Sequence, residues 1–410
     1  MTPKKKKRIC SLSQSLICLF GIVNLLSCNP IDDSSATNLA QKDQISVFEI
    51  FSEVEVVKLE TSESNMISQI RKVEYYDSHY YILDQFSQQI FCFDEQGRFV
   101  FKIDSKGNGP GEYNHVADFS IDKRNRQLVL LDPAFQRVHF FCLKGNYLSS
   151  HGINTDKVLG LRRAYSLQDS VLLLISLTHE RLQFYSMKQE KVLYAYFNYK
   201  VPSTLHSFDN FIDVSFLGDK ILFLAPLSRE IVDVSSLYPE PHFTWCFGSN
   251  NNSDQQINRL IELINVKQEI PEYINYPFQA VGKGKILHHH IMKSFENERF
   301  RIASVEFDNG FKFVVMDKAE GITIVFDSFS EGFLVPFEFM QSDRAIIFYI
   351  PEFDASDIEK IQDVEVQEYF LTRNLKLYSP EILKEDCRKI IETHNPMTDN
   401  PFLVVYKFKE

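Results

Sequence analysis

Tryptophan occurs once in 410 residues, and glycine and proline only fifteen times each. So little glycine and proline excludes a collagen-like or low-complexity chain. There is no CxxC pair, which removes zinc-ribbon and thioredoxin-type readings. The chain also lacks HExxH, GxSxG, a P-loop, and a GxGxxG run opening a helix, so no linear catalytic signature is present. Positive charge is short, with 44 Lys and Arg against 55 Asp and Glu and a formal net charge of −11. Such a balance does not suit nucleic acid, whose affinity comes from neutralising phosphates. The longest apolar run near the start, Leu16 to Leu26, is too short to span a bilayer comfortably, which takes about 20 apolar residues.

Phenylalanine (36) and tyrosine (18) are abundant, and with many Val and Ile they favour strands. The apolar run Leu16–Leu26 follows a basic stretch, Lys4 to Arg8, and closes on Leu25-Leu26-Ser27-Cys28. Basic, apolar and small-residue segments in that order make a secretory signal peptide. The last four residues resemble a bacterial lipobox, which implies cleavage before Cys28 and acylation of its thiol as a membrane anchor. Residues 1–27 are then a lipoprotein signal peptide, and their loss takes the net charge to −16. A surface that acidic favours solubility, or a cationic or neutral partner. Residues 28–44 are polar and read as a flexible tether. Their acidic pair Asp32-Asp33 loosely resembles the surface-export signal of Bacteroidota lipoproteins.

The chain from 45 to 410 carries a repeat. Tyr81-Ile82-Leu83-Asp84 is answered 48 residues later by Val129-Leu130-Leu131-Asp132, and Gly97 and Gly145 each lie 13 residues beyond their aspartate. That period, filled with four short strands, suits a β-propeller blade. The best copy runs from Gly107 to Lys144, and weaker copies follow at Arg163–Phe197, Ile212–Phe247 and Lys285–Phe326. The sixth, beginning at Phe333, lacks two strands, which Val54–Leu59 and Phe402–Phe408 can supply by pairing across the termini. Two amphipathic helices interrupt the strands at about 253–266 and 379–393. The first has a Ser253/Gln256 capping box, the second Ser379 and Pro380 at its start. The expected fold is all-β: a six-bladed β-propeller of four-stranded antiparallel blades with two accessory helices.

The run GNGPGEY, Phe119-Ser120-Ile121-Asp122, Leu131-Asp132 and Arg137-Val138 resembles an NHL-type propeller repeat. Together with Leu59-Glu60-Thr61 and the Asn400-Pro401 terminal strand, it looks like the six-bladed propeller lipoproteins of Bacteroidota. The resemblance implies a fold and a compartment, the cell envelope with a lipid anchor on the outer membrane, and brings no catalytic residue.

Candidate binding residues come from where blade loops must lie. Gly109, Pro110, Gly111, Glu112 and Tyr113 form a blade linker, either the rim of a binding pocket or a turn that only shapes the backbone. Phe86, Phe135 and His179 lie on loops between second and third strands, which open on the same face. Arg162 and Arg163 either offer positive charge to an anionic ligand or, paired with nearby acids, are merely structural. In His288-His289-His290, His288 and His290 would share one strand face; two ligands fall short of a metal site, and a polar channel lining is favoured. Asp84 and Asp132 are read as caps of their own turns. Cys92 and Cys142, in corresponding strands, are read as small buried apolar residues, with a disulfide as the alternative.

No cofactor is implied. The sequence favours a membrane-tethered module binding a ligand or envelope protein outside the cytoplasm. The alternatives are a propeller lyase or hydrolase acting on glycan or peptide at the central channel, and a structural subunit of an outer-membrane assembly that docks through its helices.

Overall fold

In the computed structural model the strands are short and run in sequential antiparallel groups. The residues it describes are 39–154, 160–176, 180–198, 213–225, 227–267, 286–307, 310–331, 340–341, 345–349, 383–395 and 398–410. Strand β1 is Leu39–Ile45 and β2 is Phe51–Lys58. The first blade comprises β3 (Ile70–Tyr76), β4 (His79–Asp84), β5 (Ile90–Asp94) and β6 (Phe99–Ile103). The second comprises β7 (Asp118–Asp122), β8 (Gln127–Asp132), β9 (Arg137–Cys142) and β10 (Tyr147–Gly152). Next come β11 (Leu161–Ser166), β12 (Val171–Ser176), β13 (Glu180–Ser186) and β14 (Lys191–Asn198). The fourth group is β15 (Asp213–Leu217), β16 (Lys220–Leu224), β17 (Glu230–Asp233) and β18 (Glu240–Thr244).

Helix α1 (Asp254–Lys267) precedes β19 (His289–Glu296), β20 (Phe300–Phe307), β21 (Gly310–Asp317) and β22 (Ile322–Phe329). The chain ends with β23 (Met340–Gln341), β24 (Ala345–Tyr349), α2 (Glu385–Thr393) and β25 (Phe402–Phe408).

This is an all-β propeller, but not one of six four-stranded blades. Among the described residues, five sheets have four strands, and the sheet β19 to β22 has five. Its extra member is β1, which pairs parallel to the outer strand β22, Leu39 opposite Thr323 and Ile45 opposite Phe329. Residues 39–44, expected at the end of a flexible tether, are therefore strand. Ser46 and Val47 then hold the chain in place, the Ser46 hydroxyl and the Val47 N–H both donating to the Glu331 carboxylate, at 2.7 and 2.9 Å.

The ring closes across the termini as the spare strands suggest. β2 pairs antiparallel to β25, with Phe51 opposite Phe408 and Lys58 opposite Phe402. Among the described residues, six apolar clusters lie between neighbouring sheets, so each blade is packed on both faces. Middle strands accordingly read as unbroken apolar runs, such as Leu128 to Leu131 and Val171 to Ile175, all buried. Outer strands face water on one side, and β10 has no buried residue.

The capping box at the start of α1 is formed. Gln256 N–H reaches the Ser253 hydroxyl at 3.3 Å, and Ser253 N–H reaches Gln256 Oε1 at 2.9 Å. Ser379 and Pro380 lie outside the described residues, and α2 begins at Glu385, after Lys384, with no side-chain cap. Leu383, just ahead of the helix, and Cys387 within it are buried beside Val54, Val56 and Val404, so that face is spent on the protein's own core. Cys92 and Cys142 are free thiols, and burial pushes Cys92 up to about 12, which keeps it unreactive. Residues 1–38, with the expected signal peptide, Cys28 and most of the expected tether, lie outside the described residues, and among those described no helix is long and apolar enough to cross a membrane.

Candidate functional site

Where β4 turns into β5, and β8 into β9, one aspartate organises the loop. Asp84 accepts the N–H groups of Ser68 (3.2 Å), Gln69 (3.0 Å) and Phe86 (3.3 Å), and the Ser68 hydroxyl. Asp132 does the same in the next blade, accepting from Asn114 (2.7 Å), His115 (3.4 Å), Ala134 (3.0 Å) and Phe135 (3.2 Å). Each carboxylate thus ties its own loop to the linker that starts its own blade. Burial opposes ionisation of Asp84, but the hydrogen bonds from the Ser68 hydroxyl and the backbone prevail and hold its pKa below the usual range. Their duty is capping, as expected of an aspartate at a strand end.

The linker Gly107–Tyr113 is locked from within. Gly109 N–H donates to Glu112 Oε2 at 2.8 Å, and Tyr113 N–H and the Gly107 N–H bond Ser105 and Tyr113 carbonyls at 2.9 and 3.0 Å. Gly111 has φ +80°, and a β-carbon there would lie 2.8 Å from the Tyr147 ring. Tyr113 is fully buried and donates its hydroxyl to the Ile103 carbonyl at 3.1 Å. It is therefore a wedge between blades rather than an aromatic platform. Of the five linker candidates only Pro110 is exposed, while Glu112 is half-buried and spent on Gly109.

The loop candidates behave differently. Phe86 is 70% exposed and Phe135 40%, on corresponding loops of adjacent blades, and the N–H of each is held by its loop's capping aspartate. The linker before β7 is joined to the first loop, Val116 N–H donating to Gln88 Oε1 at 3.0 Å. Both phenylalanines and the blade linkers consequently share one face. His179 lies outside the described residues.

Deeper along the axis the inner strands carry charge. Lys72 Nζ sits 3.1 Å from Asp118 Oδ1 and 3.0 Å from Glu74 Oε1, and donates to the Phe119 carbonyl at 2.7 Å. Burial alone would depress this ammonium, but Asp118 and Glu74 outweigh it and keep it protonated well above the ordinary lysine value. It serves as a fixed cation, not a nucleophile. Arg163 lies in the same layer, acting on Lys72 and Tyr165, while Arg162 occupies the preceding position of β11, and both are half-buried.

The histidine run is placed otherwise than strand alternation implies. His288 precedes β19 and is half-buried, whereas His289 and His290 are both buried. His289 Nδ1 lies 2.7 Å from the Asn250 carbonyl, and Asn252 Oδ1 accepts the His288 N–H at 2.7 Å. Burial holds His289 at about 4 and His290 at about 3, so both are neutral at physiological pH. These residues pin the approach to α1 against the fifth sheet.

Two groupings escaped sequence reasoning. Glu296 accepts from His242 Nε2 (2.9 Å) and Lys318 Nζ (2.9 Å) and is ion-paired with Arg301, whose Nε is 2.9 Å away and whose guanidinium lies over the Phe243 ring at 4.1 Å. This clasp joins β18 to the next sheet, and no spacing foretells it. The second is Arg71, at the start of β3, with His115 on the linker before β7; its signal was present, since Ile70-Arg71-Lys72 and Leu161-Arg162-Arg163 stand at equivalent positions of two repeats.

Comparison with other proteins agrees with the fold. Residues 31–407 match the family described as a domain of unknown function, DUF4934. A crystal structure of a Bacteroides fragilis protein described as exported superposes with a TM-score of 0.62 at 15% identity, covering 91% of this chain and all of the other. A DUF4221 family member from Bacteroides vulgatus gives a TM-score of 0.47 at 11% identity, over 87% of this chain and 98% of that one. No curated protein matches the chain.

Proposed function

The chain belongs to the DUF4934 family, and we propose that it is an envelope protein, anchored through acylated Cys28, that binds a ligand or protein partner outside the cytoplasm. The working surface is the face that carries the second-to-third strand loops and the blade linkers. One observation carries this reading. Phe86 and Phe135 stand exposed on corresponding loops of adjacent blades, each loop with its backbone tied down by a buried aspartate. Large apolar side chains held outward on rigid loops favour binding, because little ordering entropy is lost on contact. The description of the Bacteroides fragilis structure as an exported protein supports the compartment.

A photo-crosslinking amino acid placed at 86 or 135 in the native envelope tests the reading. Adducts of defined mass are expected from both positions, and none from position 100, on the outer strand β6. Equal labelling from all three, or no adduct, overturns it. Phe86→Ser should abolish the adduct from position 135 with the melting temperature unchanged.

A further inference from the structure

Each sheet has two distinct ends. In the fifth, Glu296 pairs with Arg301 and Asp317 with Ile322, so the turns from first to second and from third to fourth strand lie at one end. Phe307 and Gly310, which flank the second-to-third strand loop, pair at the other. Phe86 and Phe135 stand at the loop end of their own sheets, held by Asp84 and Asp132. β1 runs parallel to β22 with Leu39 opposite Thr323 and Ile45 opposite Phe329. The chain therefore enters the propeller at the turn end.

That entry point limits how a lipid on Cys28 can hold the protein. Leu39 follows Cys28 by 11 residues, a reach of at most about 40 Å fully extended and of about 20 Å on average for a flexible chain. To set the loop face on a bilayer, the tether would first have to run back along β22, eight residues or about 26 Å. The turn face needs no such detour.

Exposed apolar side chains stand at that same end. Ile322, 47% exposed, is next in sequence to Thr323, the partner of Leu39. In the neighbouring sheet Tyr238, 60% exposed, lies in the turn between β17 and β18. Tyr194 of β14 stands against it, with ring centroids 5.3 Å and hydroxyls 3.1 Å apart. Tyrosine joins an apolar ring to a polar hydroxyl, which suits a boundary that is dry on one side and wet on the other. Lys220, Arg299 and Lys318 at these turns are paired with Asp233, Asp317 and Glu296, so the contact offered is apolar rather than electrostatic.

We propose that the turn ends of the fourth and fifth sheets, through Tyr194, Tyr238 and Ile322, rest in the headgroup layer of the bilayer that holds Cys28, with the loop face turned away from it. The assignment rests on the reading that Cys28 is the lipid anchor. It adds the orientation that leaves Phe86 and Phe135 free for a partner.

Tryptophan quenching tests it, with the lipidated full chain reconstituted in phosphatidylcholine vesicles, plain or brominated on the acyl chain. Tyr238→Trp and Ile322→Trp should each add emission of which about half is lost in brominated vesicles, as for a ring at the headgroup–acyl boundary. Phe86→Trp should add emission that bromine leaves unchanged, and the buried native Trp245 supplies a constant background. Two turn positions keep the test decisive if one variant fails to fold. Unchanged emission at both, or a loss at 86 equal to that at 238 and 322, overturns the assignment. Flotation of the same vesicles separates the two readings. Protein that floats without quenching at 238 and 322 sinks the orientation alone, whereas protein that does not float sinks the anchor and the orientation with it.

Discussion

The side-chain carbonyl of Asn400 accepts the N–H of Ile67 at 2.7 Å, and its amide donates to the Glu60 and Asn65 carbonyls at 2.8 and 3.0 Å. One fully buried asparagine, just ahead of the C-terminal strand, thereby fastens the linker that leads out of the N-terminal strand.

Asn400→Ala should destabilise the protein by about 3 kcal/mol, since it strands a buried N–H and two carbonyls at once. Urea unfolding measures the loss. Removing Phe402 to Glu410 takes away the whole seam with β2 and should abolish cooperative melting. A melting curve left unaltered by the deletion would contradict the closure.

Lys72→Met leaves Asp118 and Glu74 without their buried cation. Breaking such a group on one side costs about 3–5 kcal/mol, so the variant should unfold at markedly lower denaturant. Adding Asp118→Asn should recover part of that loss, and a double-mutant cycle reads the coupling.

Acid should weaken the fold in two separate windows. His289 and His290 have pKa values of about 4 and 3, below the ordinary histidine value of 6.5. The unfolded chain therefore takes up protons below 6.5 before the folded one does, and stability falls as pH drops from 6.5 towards 4, by about 1.4 kcal/mol per pH unit for each histidine. Asp84 and Glu296, whose pKa values are lowered, lose their contribution at still lower pH, as they are protonated. His289→Gln should flatten the upper window in a pH series of denaturation midpoints and leave the lower one in place.

Cys28→Ala should abolish lipidation and release the protein from the membrane fraction, checked by palmitate labelling. Unchanged labelling would rule out Cys28 as the anchor.

Gly97→Ala should cost about 2–4 kcal/mol by thermal melting. Gly97 has φ +78°, and a β-carbon would overlap the Lys58 carbonyl where one blade's turn meets its neighbour's outer strand.

The sequence by itself determined what is local and repeated. Strand runs, the 48-residue echo of Asp84 in Asp132, the α1 capping box and the pairing of the terminal strands were legible, because each depends on side-chain periodicity or on a turn within a few residues. Exposure of Phe86 and Phe135 was legible for the same reason, as a consequence of where second-to-third strand loops emerge. Only the tertiary structure decided that Tyr113 is a buried wedge and that Leu39–Ile45 adds a fifth strand beside Ile322–Phe329. It alone joins Glu296 to a histidine 54 residues away. These depend on which surfaces the ring brings together. A single extra residue in a strand does not show in an apolar pattern, so the register shifts at Arg71 and Arg162 came from the sheet and not from the sequence.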